Sequence, residues 1–240
     1  MDIFSRYTGI PDLIRLGRQA VQNTLLHCAG NPALSYLAVV DGTCGNGHDT
    51  LFLAETLRAI THKPHGVFAF DVQPEAIAAT LARLGALADG VSLLQESHAR
   101  LLEELARTER YPASLAGLFP HPAGGRRPDG NTAPAPVRIA AAMYNLGFLP
   151  RSDKRITTSA ASTLASLESA ATLLVPQGLL AVHAYGGHPG GLEELEAVDA
   201  WHAALPFGEW TVARYALHNK ARNPEALFLA EKGGSRIVMG

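Results

Sequence analysis

The chain has very little cysteine: Cys28 and Cys44 are the only two in 240 residues. Two are too few for a disulfide framework or for a zinc site, and they fit a reducing cytoplasm. Apolar runs of roughly 18 residues or more are missing, which argues against a transmembrane helix. The N-terminus, MDIFSRYTGIPDLIRLGRQ, lacks the basic start, apolar stretch and small-residue cleavage site of a signal peptide. An excess of one charge is also lacking. The formal net charge is −2, which argues against a general nucleic-acid binder but leaves room for an enzyme with a local basic patch. The ten histidines show no ligand spacing beside cysteines or acids, so no metal site is expected. No internal repeat is present.

What the chain does have is apolar content, 47% of its residues, enough for a sizeable core in a single domain spanning residues 1–240. Helical spacing of Leu13, Ile14, Leu16, Val21, Leu25 and Leu26, with Pro11 near the start, predicts a helix over 11–29. Strands are then expected at 37–42, 66–71, 91–96, 137–146 and 178–185. Helices are expected between or after them at 49–60, 74–88, 99–108, 157–174 and 191–205, with Asp49 as N-cap of the first and Pro74 in the first turn of the second. Segments 209–217 and 225–232 are joined by HNKARNP, too short for a helix, and should form an antiparallel hairpin. Residues 111–136 hold six prolines and four glycines with no apolar period, and read as a surface loop or insertion. Repeated βα units closed by a hairpin predict an α/β fold of Rossmann-like type. Its sheet is seven-stranded and mostly parallel, with helices on both faces.

In such a sheet, ligands sit at the carboxyl ends of the strands near the switch point, which directs attention to VVDGTCGNGHDT at 39–50. A phosphate P-loop needs a Gly-Lys-Ser/Thr ending, and no lysine is present; a dinucleotide fingerprint starting at Gly45 would need glycine where Thr50 stands. What remains is an acid at the strand end, Asp41, glycines at 45 and 47, and a second strand-end acid, Asp71. That constellation resembles motifs I and II of class I S-adenosylmethionine-dependent methyltransferases, with Thr43 where the common form has glycine. Gly45 and Gly47 let the backbone approach a ligand closely. Asp41 can face the cationic side of a methionine moiety, directly or through water, and Asp71 can accept both ribose hydroxyls.

MYNLGFLP (143–150) resembles the Asn-Pro-Pro-Tyr type motif of enzymes that methylate amino groups, without its prolines. The Asn145 side-chain oxygen and the Leu146 carbonyl can accept the hydrogens of an amine and aim its lone pair, while Phe148 can stack on a planar base. Arg151, Lys154 and Arg155 follow, either as grips on RNA phosphates or as a solvated helix start in which Asp153 pairs with a neighbour. AYGGHPGG (184–191) surrounds His188 with glycines. Tyr185 and His188 are candidates for substrate contact, and His188 for proton acceptance, against the simpler reading of a helix-entry turn. Ser97 and His98 are candidates beside the adenine, or simply helix-start residues.

Taken in order, DGTCGNGHDT, FDVQPEAI, SH, MYNLGFLP, ITT, AYGGHPGG and the late Y.L.N before LFLAEK resemble the bacterial tRNA 5-(aminomethyl)-2-thiouridine methyltransferases, long labelled rRNA methylases. The resemblance covers about residues 36–110 and 137–232. It implies S-adenosylmethionine as cofactor and tRNA, at its anticodon stem-loop, as partner. The reaction implied is methylation of the aminomethyl group on wobble uridine 34. By matching position it implies cofactor contacts at Asn46, Asp49, Asp71, Gln73, Ser97 and His98, and Asn145, Tyr185 and His188 near the substrate. The segment 111–136, with Arg126 and Arg127, lies outside the pattern and is read as decoration ahead of a tRNA contact. A homodimer is one option for assembly. The rival readings are an rRNA base N-methyltransferase, a small-molecule amine methyltransferase, a catalytically silent cofactor-binding module and an NAD oxidoreductase.

Overall fold

The computed structural model describes residues 12–119, 137–147, 157–220, 222 and 224–233. Pro11, Arg126, Arg127, Phe148, Arg151, Asp153, Lys154 and Arg155 lie outside the described residues.

Helix α1 (Leu13–Gly30) is capped by Asp12, whose side chain accepts from the Arg15 N–H. The alternation then begins: β1 (Leu37–Asp41), α2 (His48–Ile60), β2 (His65–Phe70), α3 (Pro74–Leu84), β3 (Val91–Leu94). One-turn helices α4 (Leu101–Glu104) and α5 (Ala113–Ala116) precede β4 (Ile139–Asn145), α6 (Ala160–Leu173), β5 (Leu174–Tyr185), α7 (Gly191–Ala204), β6 (Trp210–Ala216) and β7 (Glu225–Lys232). The seven strands lie in the order β3-β2-β1-β4-β5-β7-β6. β1 to β5 are mutually parallel and β7 runs antiparallel to both β5 and β6. The strand order reverses between β1 and β4, which opens a crevice at their carboxyl ends.

Strand periodicity divides the core into two layers. Leu37 and Val39 of β1 face Val21, Leu25, Leu53 and Leu57 of α1 and α2, while Ala38 and Val40 face the layer that contains Leu101, Leu167 and Val198. α1 thus covers one face of the sheet, as its apolar spacing requires. No helix among the described residues is long and apolar enough to cross a membrane.

Four local expectations are corrected. The N-cap of α2 is Gly47, not Asp49, which sits in the first turn. The helix expected over 74–88 stops at Leu84, because Gly85 turns the chain with φ +52° and a 3₁₀ stretch follows. The helix expected over 99–108 is split into a 3₁₀ turn at His98–Arg100, the single turn of α4 and a second 3₁₀ turn at Thr108–Arg110. There the buried Glu104 gathers Arg100, Arg107 and Arg110 at 3.3–3.5 Å. Finally, the start of the 111–136 segment is core and not surface loop. Tyr111 donates to the Leu105 carbonyl at 2.7 Å and accepts from Val137 N–H at 3.2 Å, and Leu115 is fully buried. One aromatic anchor satisfied at both ends overrides a composition that otherwise reads as loop.

Candidate active site

The loop after β1 is built by its own side chains. Asp41 is buried and accepts from Thr50 Oγ1 at 2.6 Å and from the Thr43 N–H at 3.1 Å. Burial, and then the neighbouring Asp49 carboxylate, push its carboxyl well above the usual range. Cys44 N–H donates to the Phe70 carbonyl at 2.8 Å, which ties the loop to the end of β2. Burial pushes the Cys44 thiol far up, so it is no nucleophile. Gly47 takes φ +77°, and a Cβ there would stand 2.8 Å from the Thr80 Cα. Gly47→Ala is therefore expected to lower the unfolding free energy by about 2 kcal/mol, from the strained conformation alone and more from the clash. A denaturant curve that does not move would show the loop free to relax.

Asp71 follows β2. Its Oδ2 accepts from Gly45 N–H at 3.0 Å and its Oδ1 from Gln73 N–H at 2.9 Å. Burial raises its pKa, and the N–H groups of Gln73, Gly45 and Val72 oppose this. Acceptor capacity remains on the carboxylate for a further donor. His98 is buried, with Nδ1 at 3.0 Å from the Gly42 carbonyl, and burial lowers its pKa, which favours the neutral ring.

At the end of β4, the Asn145 N–H donates to Thr43 Oγ1 at 2.8 Å. The residue that departs from the common glycine thus joins the two loops. Asn145 Nδ2 donates to Asp49 Oδ2, and Asp49 Oδ1 accepts from Arg18 Nε of α1 at 2.6 Å. With its nitrogen held by Asp49, the amide directs its oxygen the other way. Leu146 N–H is bound by the His183 carbonyl at 2.8 Å, and Gly147 N–H by Thr158 Oγ1 at 2.9 Å. Thr158 in turn donates to the buried Glu194 at 2.7 Å.

These loops enclose a cavity of about 870 Å³, within the range of small-molecule sites. Of the residues singled out from sequence, Gly45, Asn46, Asp49, Asp71, Gln73, His98, Asn145, Leu146, Tyr185 and His188 line it together. Asp41 and Gly47 stand behind the wall as supports of the loop, and Ser97 is turned to cap the following 3₁₀ turn. Of the two readings of Asp41, facing a ligand directly or through water, 1% exposure disfavours direct contact, and its carboxylate holds Thr43 and Thr50. The sequence reading missed Arg18, Glu96, Lys220 and Glu225, which also line the cavity, and gave no role to Thr158 of the ITT motif. Arg18 lies in a helix apart from every motif, and only the packing of α1 brings it to Asp49. Among the described lining residues, Asp49, Asp71, Glu96 and Glu225 face only Arg18 and Lys220 as full cations. An acidic wall of this kind suits a cationic ligand better than a pyrophosphate.

Residues 131–231 match the family model described as Putative rRNA methylase. The chain is 31% identical over 198 residues to the chloroplastic tRNA (mnm5s2U34)-methyltransferase of Arabidopsis thaliana, covering 81% of this chain and 63% of the relative's length. Two solved structures are similar across almost the whole chain. One is a putative rRNA methylase from Clostridium thermocellum, 27% identical, TM-score 0.70, covering 93% of this chain and 99% of that one. The other is a putative methyltransferase from Streptococcus mutans in complex with SAH, 25% identical, TM-score 0.68, with the same coverage of 93% and 99%. The chain therefore has the class I methyltransferase fold and, over residues 131–231, carries the sequence pattern of the putative rRNA methylase family.

Proposed function

We propose that this chain is an S-adenosylmethionine-dependent tRNA methyltransferase. Its substrate in this reading is the aminomethyl nitrogen of 5-(aminomethyl)-2-thiouridine at wobble position 34, and its product the methylaminomethyl form. The observation that carries the reading is the join between the two loops. Thr43, in the loop beside Asp71, holds the backbone of Asn145, whose side-chain nitrogen is already occupied by Asp49. An amide fixed in that way leaves its oxygen as an acceptor at the cavity wall, which is what a primary amine needs. The name of the Arabidopsis relative supports the choice of substrate.

The residues present fit the methyl donor. Asp71 keeps acceptor capacity for a ribose hydroxyl, Gly45 and Asn46 line the cavity, and the acidic wall suits a sulfonium. Asp49, Gln73 and His98 complete that side. The donor supplies an activated methyl group with a neutral leaving group. What remains for the protein is to orient the amine and to exclude water. Asn145 and the Leu146 carbonyl accept the amine hydrogens, and Tyr185 and His188 flank the substrate side. The tRNA anticodon stem-loop and a reducing cytoplasm complete the reading.

Methyl transfer to tRNA from cells lacking this gene, read by nucleoside mass spectrometry, tests it. The expected result is one added methyl on the aminomethyl wobble uridine, dependent on S-adenosylmethionine. No gain there with donor binding intact removes the tRNA assignment and leaves rRNA and small amines as substrates.

A further inference from the structure

The side chains of one buried cluster at the cavity wall take no part in holding the first loop or Asn145. His183 on β5 is 4% exposed. Its Nδ1 lies 2.8 Å from the hydroxyl of Tyr185, two residues further along the same strand face. Its Nε2 faces Glu225 Oε2 of β7 at 3.4 Å, and Glu225 Oε1 accepts from Lys220 Nζ at 2.6 Å. Tyr185, Glu225 and Lys220 line the cavity and His183 stands behind them. A hydroxyl at the wall is thus hydrogen-bonded to a buried imidazole, whose other nitrogen stands 3.4 Å from a carboxylate without a hydrogen bond in the resting structure. The adjacent His183 ring, and then Lys220, hold that carboxyl well below the usual carboxylate range. The order hydroxyl, imidazole, carboxylate draws a proton inward from the hydroxyl.

An alkyl amine needs such a device. Near neutral pH it is mostly ammonium, since an alkyl ammonium such as that of lysine has a pKa of about 10. An ammonium nitrogen has no lone pair with which to attack carbon.

Resting on the reading of the substrate as an alkyl amine, we propose that Tyr185, His183 and Glu225 form a proton relay that deprotonates the substrate ammonium before methyl transfer. An N–H bond of the ammonium breaks and its proton joins Tyr185 Oη. The original Oη–H bond breaks and that proton joins His183 Nδ1. The imidazolium so formed pairs through Nε2–H with Glu225 and later returns its extra proton to water. The substrate is left neutral with a free lone pair. Tyr185 is the catalytic residue of the three; His183 and Glu225 act through it.

The groups facing this corner are Tyr185 on β5, Glu225 on β7, Lys220 before it, Asp49 in the first turn of α2, and Asp12 and Arg18 at α1. Burial, and then Glu225, Asp49 and Asp12, push the Tyr185 hydroxyl up, so it passes a proton on without remaining ionised.

The test compares wild type, Tyr185→Phe and Glu225→Gln. Methyl transfer to aminomethyl tRNA is followed from about pH 7 to about pH 10, the range over which an alkyl ammonium gives up its proton unaided. SAH affinity and the ¹⁵N spectrum of the His183 ring are recorded on the same preparations. At pH 7 each variant should be slower by about a hundredfold or more, the usual scale of positioned acid–base groups. The gap should close toward pH 10, with SAH affinity unchanged in Tyr185→Phe. The wild-type ring should carry its proton on Nε2, and Glu225→Gln should weaken that preference. A gap equal at every pH, no gap, or a wild-type ring protonated on Nδ1 overturns the relay. A wild type that binds SAH but never methylates this tRNA overturns the substrate reading instead, and the tautomer then still decides whether the relay geometry exists.

Discussion

Asn145→Ala is expected to slow turnover by about a hundredfold while leaving the affinity for S-adenosylmethionine or SAH within a few fold, the scale seen when one preorganised polar group is removed from a reacting centre. The reason lies in how the amide is held. Its backbone is fixed to Thr43, its nitrogen to Asp49, and Asp49 to Arg18. The orientation of the side-chain oxygen is therefore set before any substrate arrives. Losing it removes an interaction that strengthens as the amine nitrogen gains positive charge, so kcat falls more than KM rises. Asp49 keeps Arg18 after the substitution, and the wall retains its charge. Turnover and isothermal titration on one preparation separate the two effects. A parallel loss of SAH affinity would place Asn145 on the donor side and reverse the assignment.

Asp71→Ala should do the opposite. Its carboxylate holds Gly45 N–H and Gln73 N–H at once and so sets the distance between the first loop and the start of α3. Hydrogen bonds to a charged group contribute about 1.5–3 kcal/mol each. Removal of the carboxylate should weaken donor binding by about a hundredfold or more, with turnover at saturation largely restored. Circular dichroism should show the fold retained, because the carboxylate faces the cavity and not the core. Full-strength SAH binding by Asp71→Ala would show that ribose recognition lies elsewhere.

Much of the site was legible in the sequence for a local reason. Asp41, Gly45, Gly47 and Asp71 occupy strand ends and the turns after them. A parallel sheet with a switch point between β1 and β4 brings such turns to one edge. Strand and helix periodicity is enough to find those ends, and the glycines mark where backbone must bend or come close. The hairpin of β6 and β7 was legible in the same way, since the joining segment is too short for a crossover. Where sequence reading went astray, the competing force was tertiary. Tyr111 and Leu115 sit in a proline-rich stretch, yet both are buried against the layer that contains Phe68.

By itself, then, the sequence determined the alternating α/β architecture, the loop and strand ends where a ligand can sit, and the Asn145 turn, because each depends on residues near one another in the chain. Only the tertiary structure decided that Asp41 braces the loop from behind and that Thr43 joins it to Asn145. The same holds for Arg18 reaching Asp49 across 31 positions and for His183 lying between Tyr185 and Glu225. Those are contacts between separate elements, set by the register of β4, β5 and β7 and by the face on which α1 packs. Spacing along the chain holds no record of which polar groups will share a wall, because that is decided by how the apolar faces close on each other.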